Sequence, residues 1–141
     1  MLQINNCCQI SPFIFIINIL LGFYCNYILY GILFFCLLLT SVFYHTYYTD
    51  FTYIIDKVSI LYVILYGSIL FYQKINIINY DFIFMIMTLL IILTFLSVFY
   101  LYYYGYFMKY YCFHDDISIA YKYHSLIHYI TSFSHTLIML L

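Results

Sequence analysis

The chain has 141 residues, of which 68% are hydrophobic and 6% are charged, and its mean hydropathy is +1.04. A soluble domain carries about 25% charged residues, and a chain with so few would expose large apolar patches to water. The net charge is −1 and the four basic residues are all lysines, so no basic surface for nucleic acid is expected.

Polar residues divide the chain into five apolar stretches, each a candidate transmembrane helix of roughly 20 residues. Pro12 suits the first turn of the first stretch, where a missing N–H costs nothing, and Cys25 with Asn26 forms a tight break after it. We therefore expect an all-α integral membrane bundle in which residues 1–141 form a single domain. The expected spans are 12–24, 27–45, 52–72, 81–104 and 118–141.

The linkers between these spans hold charged residues at the depth where lipid headgroups are expected. The linkers are 46–51, 73–80 and 105–117, and they contain Asp50, Lys74, Lys109, His114, Asp115 and Asp116. Five spans place the two termini on opposite sides of the membrane. Three lysines lie towards one side and one towards the other, so the positive-inside rule predicts that the three-lysine side is cytoplasmic. The three are Lys57, Lys109 and Lys122, and the fourth is Lys74.

The N-terminal segment and the cysteines give further expectations. No positive residue precedes the first span, so a cleavable secretory signal is not expected. The five cysteines form no CxxC pair, which argues against a disulfide framework or a thiolate metal site. Cys7 and Cys8 stand just before the first apolar run, a setting typical of acylation, although reduced apolar filler is the simpler interpretation. The others are Cys25, Cys36 and Cys112.

Ionisable residues inside spans are costly and usually face the bundle interior or a water-filled cavity, so they are the first candidates for function. The set here is His45, Asp56, Lys57, Lys122, His124, His128 and His135. Following the chain through the bundle places four of them at one membrane face, because the second span ends there and the third and fifth spans begin there. These four are His45, Asp56, His124 and His128.

The spacing of these residues is that of metal ligands on helices. Ser41 precedes His45 by four residues, and the same interval separates the two histidines of the fifth span. Residues four apart lie on one helix face about 6 Å apart. Three imidazoles are a common ligand set of catalytic zinc, so we predict a Zn²⁺ site at His45, His124 and His128. Asp56 would act as a base or orient a ligand, and Ser41 would support the site by hydrogen bonding.

The remaining polar residues have simpler interpretations. An HxxxH pair alone also arises by chance on an interfacial helix, where its histidines meet water. His135 lies on the stripe of that pair but about 16 Å from its first histidine along the helix, so a buried, hydrogen-bonded histidine is expected. His114 and the two aspartates after it lie in a short loop and are expected to be solvated. Lys57 and Lys122 are expected to snorkel.

In order, spacing and helix position, the site residues resemble the signature of the CREST group of membrane hydrolases. This group includes the alkaline ceramidases, the adiponectin and progestin receptor family with the haemolysin III proteins, and related lipid-remodelling enzymes. Its signature is an SxxxH at the end of one span, an Asp near the start of the next and an HxxxH in the last span. The chain has Ser41 to His45, then Asp56 eleven residues on, then His124 to His128.

The resemblance implies a zinc-dependent hydrolase that cleaves an amide or ester bond of a membrane lipid, with zinc-bound water as the nucleophile. It implies that His45, His124 and His128 bind zinc, that Asp56 assists the water and that Ser41 supports the site. The family's bundles have about seven spans, and this chain has room for five. A bundle with two helices fewer still has its last span starting at the membrane face where His45 lies. It encloses less volume for a lipid, and a homo-oligomer would supply the missing walls.

Two other interpretations of the sequence stay open beside the hydrolase. A non-catalytic membrane receptor or scaffold would use a metal only to tie spans together. A small structural membrane protein of the viral type would carry the signature by accident, and its histidines would bind no metal.

Overall fold

The computed structural model describes residues 6–77 and 81–141, and it confirms an all-α fold. Five helices in these ranges have ten or more residues. A short helix and a 3₁₀ turn lead into the first of them, and a π-helical turn continues the fourth. The helices are α1 (Asn6–Ile10), α2 (Phe15–Tyr24), α3 (Ile28–Thr46), α4 (Asp50–Ile77), α5 (Phe82–Phe99), α6 (Gly105–Met108) and α7 (Ile117–Leu140).

Four helical segments in the described ranges are long and apolar enough to cross a membrane, so the chain is an integral multi-pass membrane protein, as predicted. They are Cys7–Tyr24, Ile28–Thr46, Asp50–Asn76 and Phe82–Phe113. Many large apolar side chains lie exposed on the outside of the bundle, where lipid tails as apolar as leucine surround them. The fifth predicted span corresponds to α7, whose 24 residues reach about 36 Å but include more polar side chains.

The helix boundaries differ from the predicted ones at the first, third and fourth spans. At the fourth, the π-helical turn Tyr100–Tyr104 leads directly into α6, so residues 105–108 are helical and not part of a linker. The first helical segment begins at Asn6, because the residues around Pro12 form a 3₁₀ turn that joins α1 to α2. Helix α4 runs from Asp50 to Ile77, so Asp50 and Lys74 are helical and do not lie in linkers. Neither end of α4 contains a residue that breaks a helix, which is why the helix continues beyond its apolar run.

Short polar side chains fix where the helices begin and turn. Asp81 accepts a hydrogen bond from the backbone N–H of Phe84 at 2.7 Å at the start of α5. Asp116 accepts one from the N–H of Ser118 at 2.8 Å at the start of α7. Each satisfies an amide that the first helical turn leaves free. Asn26 has a left-handed φ of 60° in the tight turn between α2 and α3, at the predicted break.

Helix α7 is the central helix of the bundle, and it contacts α1, α2, α4 and α5. Its inward side chains are largely polar: Ser125, His128, Ser132, Ser134 and His135 are buried. Asn18 of α2 is fully buried and donates to the Ser132 carbonyl at 2.9 Å and to the Thr136 hydroxyl at 3.1 Å. Such interhelical hydrogen bonds hold helices together in lipid, where apolar burial contributes little. Polar side chains on the central helix α7 are therefore useful, because they can form hydrogen bonds with the helices packed around it.

The other helices leave a space beside α7. Helices α2 and α3 approach closely where Gly22 meets Gly31, since a Cβ atom on Gly22 would lie 2.8 Å from the Gly31 nitrogen. Helix α3 packs in turn on α4, and α5 packs on α7. Among the described residues, α4 and α5 hardly contact each other. A cavity therefore remains between these two helices, with α7 behind it.

Candidate metal centre

The structure brings His45, His124 and His128 together, because α3 ends and α7 begins at the same end of the bundle. The ring centroid of His45 lies 4.9 Å from that of His124 and 5.6 Å from that of His128. The centroids of the two histidines on α7 are 5.0 Å apart. We call these three residues the histidine cluster.

The nitrogens of the histidine cluster are close to the spacing that a metal requires. One candidate ligand nitrogen from each ring lies within 4.8 Å of the other two. In a tetrahedral site with bonds of about 2.0–2.1 Å, ligand nitrogens lie about 3.4 Å apart. Small side-chain rotations can supply the difference, so this buried group of imidazoles could hold a metal ion.

His45 has a buried nitrogen without a hydrogen-bond partner among the described residues. The side chain is 4% exposed, and the nitrogen is Nδ1. A buried polar atom left without a partner is costly, and a cation at the centre of the cluster would satisfy it. The donor set of three imidazoles thus fits a divalent metal. The backbone carbonyl of His45 accepts a hydrogen bond from Gln9 at 3.4 Å, which ties α1 to the end of α3.

Ser11 fixes the orientation of His128. Its hydroxyl lies 2.8 Å from Nδ1 of His128, and both side chains are buried. The bond occupies Nδ1 and leaves Nε2 as the nitrogen available to a metal, and metal-binding imidazoles are usually held by such a contact on their other nitrogen. Sequence reasoning missed Ser11, because its partner lies 117 residues away. The only signal was a serine beside Pro12 at the start of the first span.

Asp56 and Ser41 lie beside each other, next to the cluster. Asp56 is 3% exposed, and its Oδ1 accepts a hydrogen bond from the Ser41 hydroxyl at 2.6 Å. The Nζ of Lys57 lies 3.4 Å from the other carboxylate oxygen of Asp56. No hydrogen bond joins Asp56 to the histidine cluster within the ranges that the structure describes. The carboxylate is therefore held between a hydroxyl and an ammonium group at the edge of the site.

The ammonium group of Lys57 makes more contacts within the protein than a snorkelling lysine would make. Besides its contact with Asp56, its Nζ lies over three tyrosine rings at 5.2–5.8 Å from their centroids. The rings belong to Tyr44, Tyr53 and Tyr102. Aromatic faces attract a cation, so these rings hold the ammonium group close to the carboxylate.

Two cavities meet at the histidine cluster. The entrance cavity, of about 450 Å³, is lined mostly by aromatic side chains together with His45, Lys57 and His124. The inner cavity, of about 470 Å³, extends between α4, α5 and α7 and is lined by Asp56, His124, His128 and mainly apolar residues. The cluster therefore borders both cavities, and the entrance cavity has the more polar lining of the two.

The other polar candidates lie outside the histidine cluster. His135 is fully buried and hydrogen-bonded to the hydroxyl of Tyr30, as predicted. His114 accepts a hydrogen bond from the N–H of Asp116 at 2.9 Å, and Asp115 and Asp116 are exposed, so the loop before α7 is solvated as expected. Lys122 is also exposed.

The two adjacent cysteines differ in accessibility. Cys8 is 1% exposed, and its thiol donates to the carbonyl of Tyr121 at 3.3 Å. Acylation at Cys8 is therefore incompatible with this packing, which corrects the acylation interpretation at that position. Cys7 is exposed, and its Sγ lies 3.1 Å from the hydroxyl of Ser125.

The fold and the site together define a multi-pass α-helical membrane protein with a buried three-histidine group that could hold a metal. Comparisons with protein families, with curated proteins and with solved structures find no match.

Proposed function

We propose that this protein is a zinc-dependent membrane hydrolase that cleaves an amide or ester bond of a lipid. One observation supports it best: three imidazoles, two buried and one half-buried, converge beside a cavity lined mainly by apolar residues. Three protein ligands with a free fourth position are typical of catalytic zinc, whereas structural zinc fills all four positions with protein ligands. The resemblance of the ordered SxxxH, Asp and HxxxH motifs to the CREST group favours the same chemistry.

The histidine cluster would hold the metal through two helices. His124 and His128 would bind it from successive turns of α7, and His45 would bind it from the last turn of α3. Ser11 keeps the ring of His128 in place through Nδ1. Bound zinc supplies a Lewis acid that polarises a carbonyl group and activates water at neutral pH.

Asp56 is positioned to transfer the protons of the reaction. Its carboxylate lines the inner cavity, as do His124 and His128. It can accept a proton from the attacking water and return that proton to the leaving amine or alcohol. Ser41 donates to this carboxylate at 2.6 Å, so the role of Ser41 is to orient Asp56.

The inner cavity suits the acyl chain of the substrate. Its apolar lining includes Ile60, Val63, Ile64, Phe95, Val98 and Phe99. Because α4 and α5 hardly contact each other in the described residues, a lipid tail can enter between them from the bilayer. The scissile bond would then lie at the histidine cluster, where the tail meets the polar end of the lipid.

The entrance cavity suits the polar end of the substrate and the water that the reaction consumes. Its lining includes tyrosines, which offer hydroxyl groups on an apolar ring, and the ammonium group of Lys57. Polar groups in such a cavity fix the orientation of a ligand that apolar walls hold.

Metal content and lipid hydrolysis, measured on the same purified protein, test the proposal. We expect about one zinc per chain and release of fatty acid from a panel of ceramide, phospholipid and acylglycerol. Both are expected to disappear in His124→Ala and His128→Ala and to persist in His114→Ala, which removes an imidazole from the loop outside the cluster.

Two results would contradict the hydrolase. Zinc that stabilises the protein without any hydrolysis of the panel would support a scaffold in which the metal only joins α3 to α7. Absence of zinc from the intact protein, with unchanged stability in both alanine variants, would support a structural membrane protein.

A further inference from the structure

A second polar site lies in the inner cavity, away from the histidine cluster. Ser134 and His135 line the cavity, and their side chains are 2% and 0% exposed. The hydroxyl of Ser134 and Nε2 of His135 have no hydrogen-bond partner in the part of the chain that the structure describes. Since buried polar atoms are nearly always paired, two unpaired atoms beside one cavity call for a partner that the described residues do not supply.

The ring of His135 is held rigidly with Nε2 left free. Its Nδ1 is hydrogen-bonded to the hydroxyl of Tyr30. The rings of Tyr30, Phe34 and Phe95 lie 5.3–5.7 Å from it, centroid to centroid. Gly67 leaves space for this pair, since a Cβ atom there would lie 2.8 Å from Cε1 of His135. The ring is thus enclosed by neighbouring side chains. Of the two cavities described above, the inner one is the one that His135 lines.

The depth of His135 indicates which part of a lipid it meets. It follows His128 by seven residues, so the two lie on one stripe of α7 and about 10 Å apart along the helix. That distance is about a third of the hydrocarbon core of a bilayer. A lipid whose polar end lies at the histidine cluster therefore presents its tail to His135.

A hydroxyl group is the partner that suits the chemistry of either free atom. If Tyr30 donates to Nδ1, Nε2 of His135 carries a hydrogen and donates; in the other tautomer Nε2 accepts. A hydroxyl can serve either tautomer and can also pair with the Ser134 hydroxyl, whereas a carbonyl group serves only as an acceptor.

We propose that the inner cavity binds a lipid tail that carries a hydroxyl group in mid-chain, held by His135 and Ser134. The inference rests on the proposed function only in taking a lipid as the ligand. It requires neither a bound metal nor hydrolysis, so it can be tested separately from them.

Binding of three fatty acids to the full chain in lipid nanodiscs tests this inference. The probes are stearate, stearate with a hydroxyl group in mid-chain and stearate with a hydroxyl group next to the carboxylate, each corrected for uptake by empty nanodiscs. We expect the mid-chain hydroxyl to strengthen binding about tenfold and the other hydroxyl to have little effect, because one hydrogen bond to a buried unpaired group is gained. Chelated and zinc-loaded protein should show the same preference.

The variants distinguish this site from a general effect of polarity. His135→Phe should abolish the preference and Ser134→Ala should reduce it, while Thr88→Val should retain it, since the Thr88 hydroxyl is also buried and unpaired but lies outside the cavity lining. Ser134→Ala keeps the test valid if His135→Phe does not fold. Equal binding of the three fatty acids, or a preference that persists in both cavity variants, would overturn the inference, and neither outcome depends on whether the protein binds zinc.

Discussion

The hydrogen bond between Ser11 in the 3₁₀ turn before α2 and His128 occupies Nδ1 of that histidine and leaves Nε2 as the ring nitrogen available to a metal. Ser11→Ala removes it without changing a ligand, so we expect zinc affinity to fall by about 10-fold to 100-fold. A competition titration against a zinc chelator measures this change. Ser97→Ala is the matched control, because the Ser97 hydroxyl is exposed and donates to the Leu93 carbonyl within its own helix. Unchanged affinity in Ser11→Ala would show that the bond does not orient a ligand.

The carboxylate beside the cluster is expected to affect turnover more than metal binding. Asp56→Asn keeps the size of the side chain but cannot take a proton, so kcat should fall by at least about 100-fold while zinc content stays near that of the unchanged protein. Ser41→Ala should have a smaller effect, because Lys57 still holds one oxygen of Asp56. Hydrolysis rates and metal analysis on the same samples provide the measurement. Loss of zinc from Asp56→Asn would instead make Asp56 part of the metal site.

At the level of single helices, apolar runs were sufficient to predict where helices lie. Polar breaks and Pro12 predicted the order of the spans, and the i, i+4 spacing placed His124 and His128 on one face of α7. The ends of α4 were predicted less well, because hydropathy does not distinguish a polar helical turn from a linker. Ser11 and Asn18 escaped prediction, since both act through contacts with α7 that are distant in sequence.

The contact between α2 and α3 depends on the absence of a side chain at Gly22. A Cβ atom there would lie 2.8 Å from the nitrogen and 2.9 Å from the Cα atom of Gly31, and backbone atoms cannot move aside as a side chain can. We expect Gly22→Ala to lower the free energy of unfolding by about 1–3 kcal/mol. Denaturant unfolding in mixed micelles measures this.

A substitution on the lipid-facing side of the same helix serves as the control for Gly22. Leu20 is 65% exposed, so Leu20→Ala removes a side chain without changing the contact between α2 and α3. It should leave the free energy of unfolding nearly unchanged. Equal losses in the two variants would mean that α2 as a whole, and not its close contact with α3, determines stability.

Across the whole molecule, the alternation of helix direction places the candidate site at one end of the bundle. The 3₁₀ turn before α2, the end of α3 and the starts of α4 and α7 all lie there. This convergence could be predicted from the sequence, because each crossing of the membrane reverses the chain. The inner cavity could not, since it depends on α4 and α5 packing against other helices and hardly against each other.

Metal binding is expected to stabilise the bundle as a whole, because the cluster joins α3 to α7. A ligand that binds only the folded state adds about 2.7 kcal/mol at a concentration 100 times its Kd, so zinc should raise Tm and a chelator should reverse the rise. His45 is the ligand that α3 contributes, so His45→Ala should remove most of the shift, while His114→Ala should retain it. Thermal unfolding with and without zinc measures the difference. A full shift in His45→Ala would show that the metal binds α7 alone and does not join the two helices.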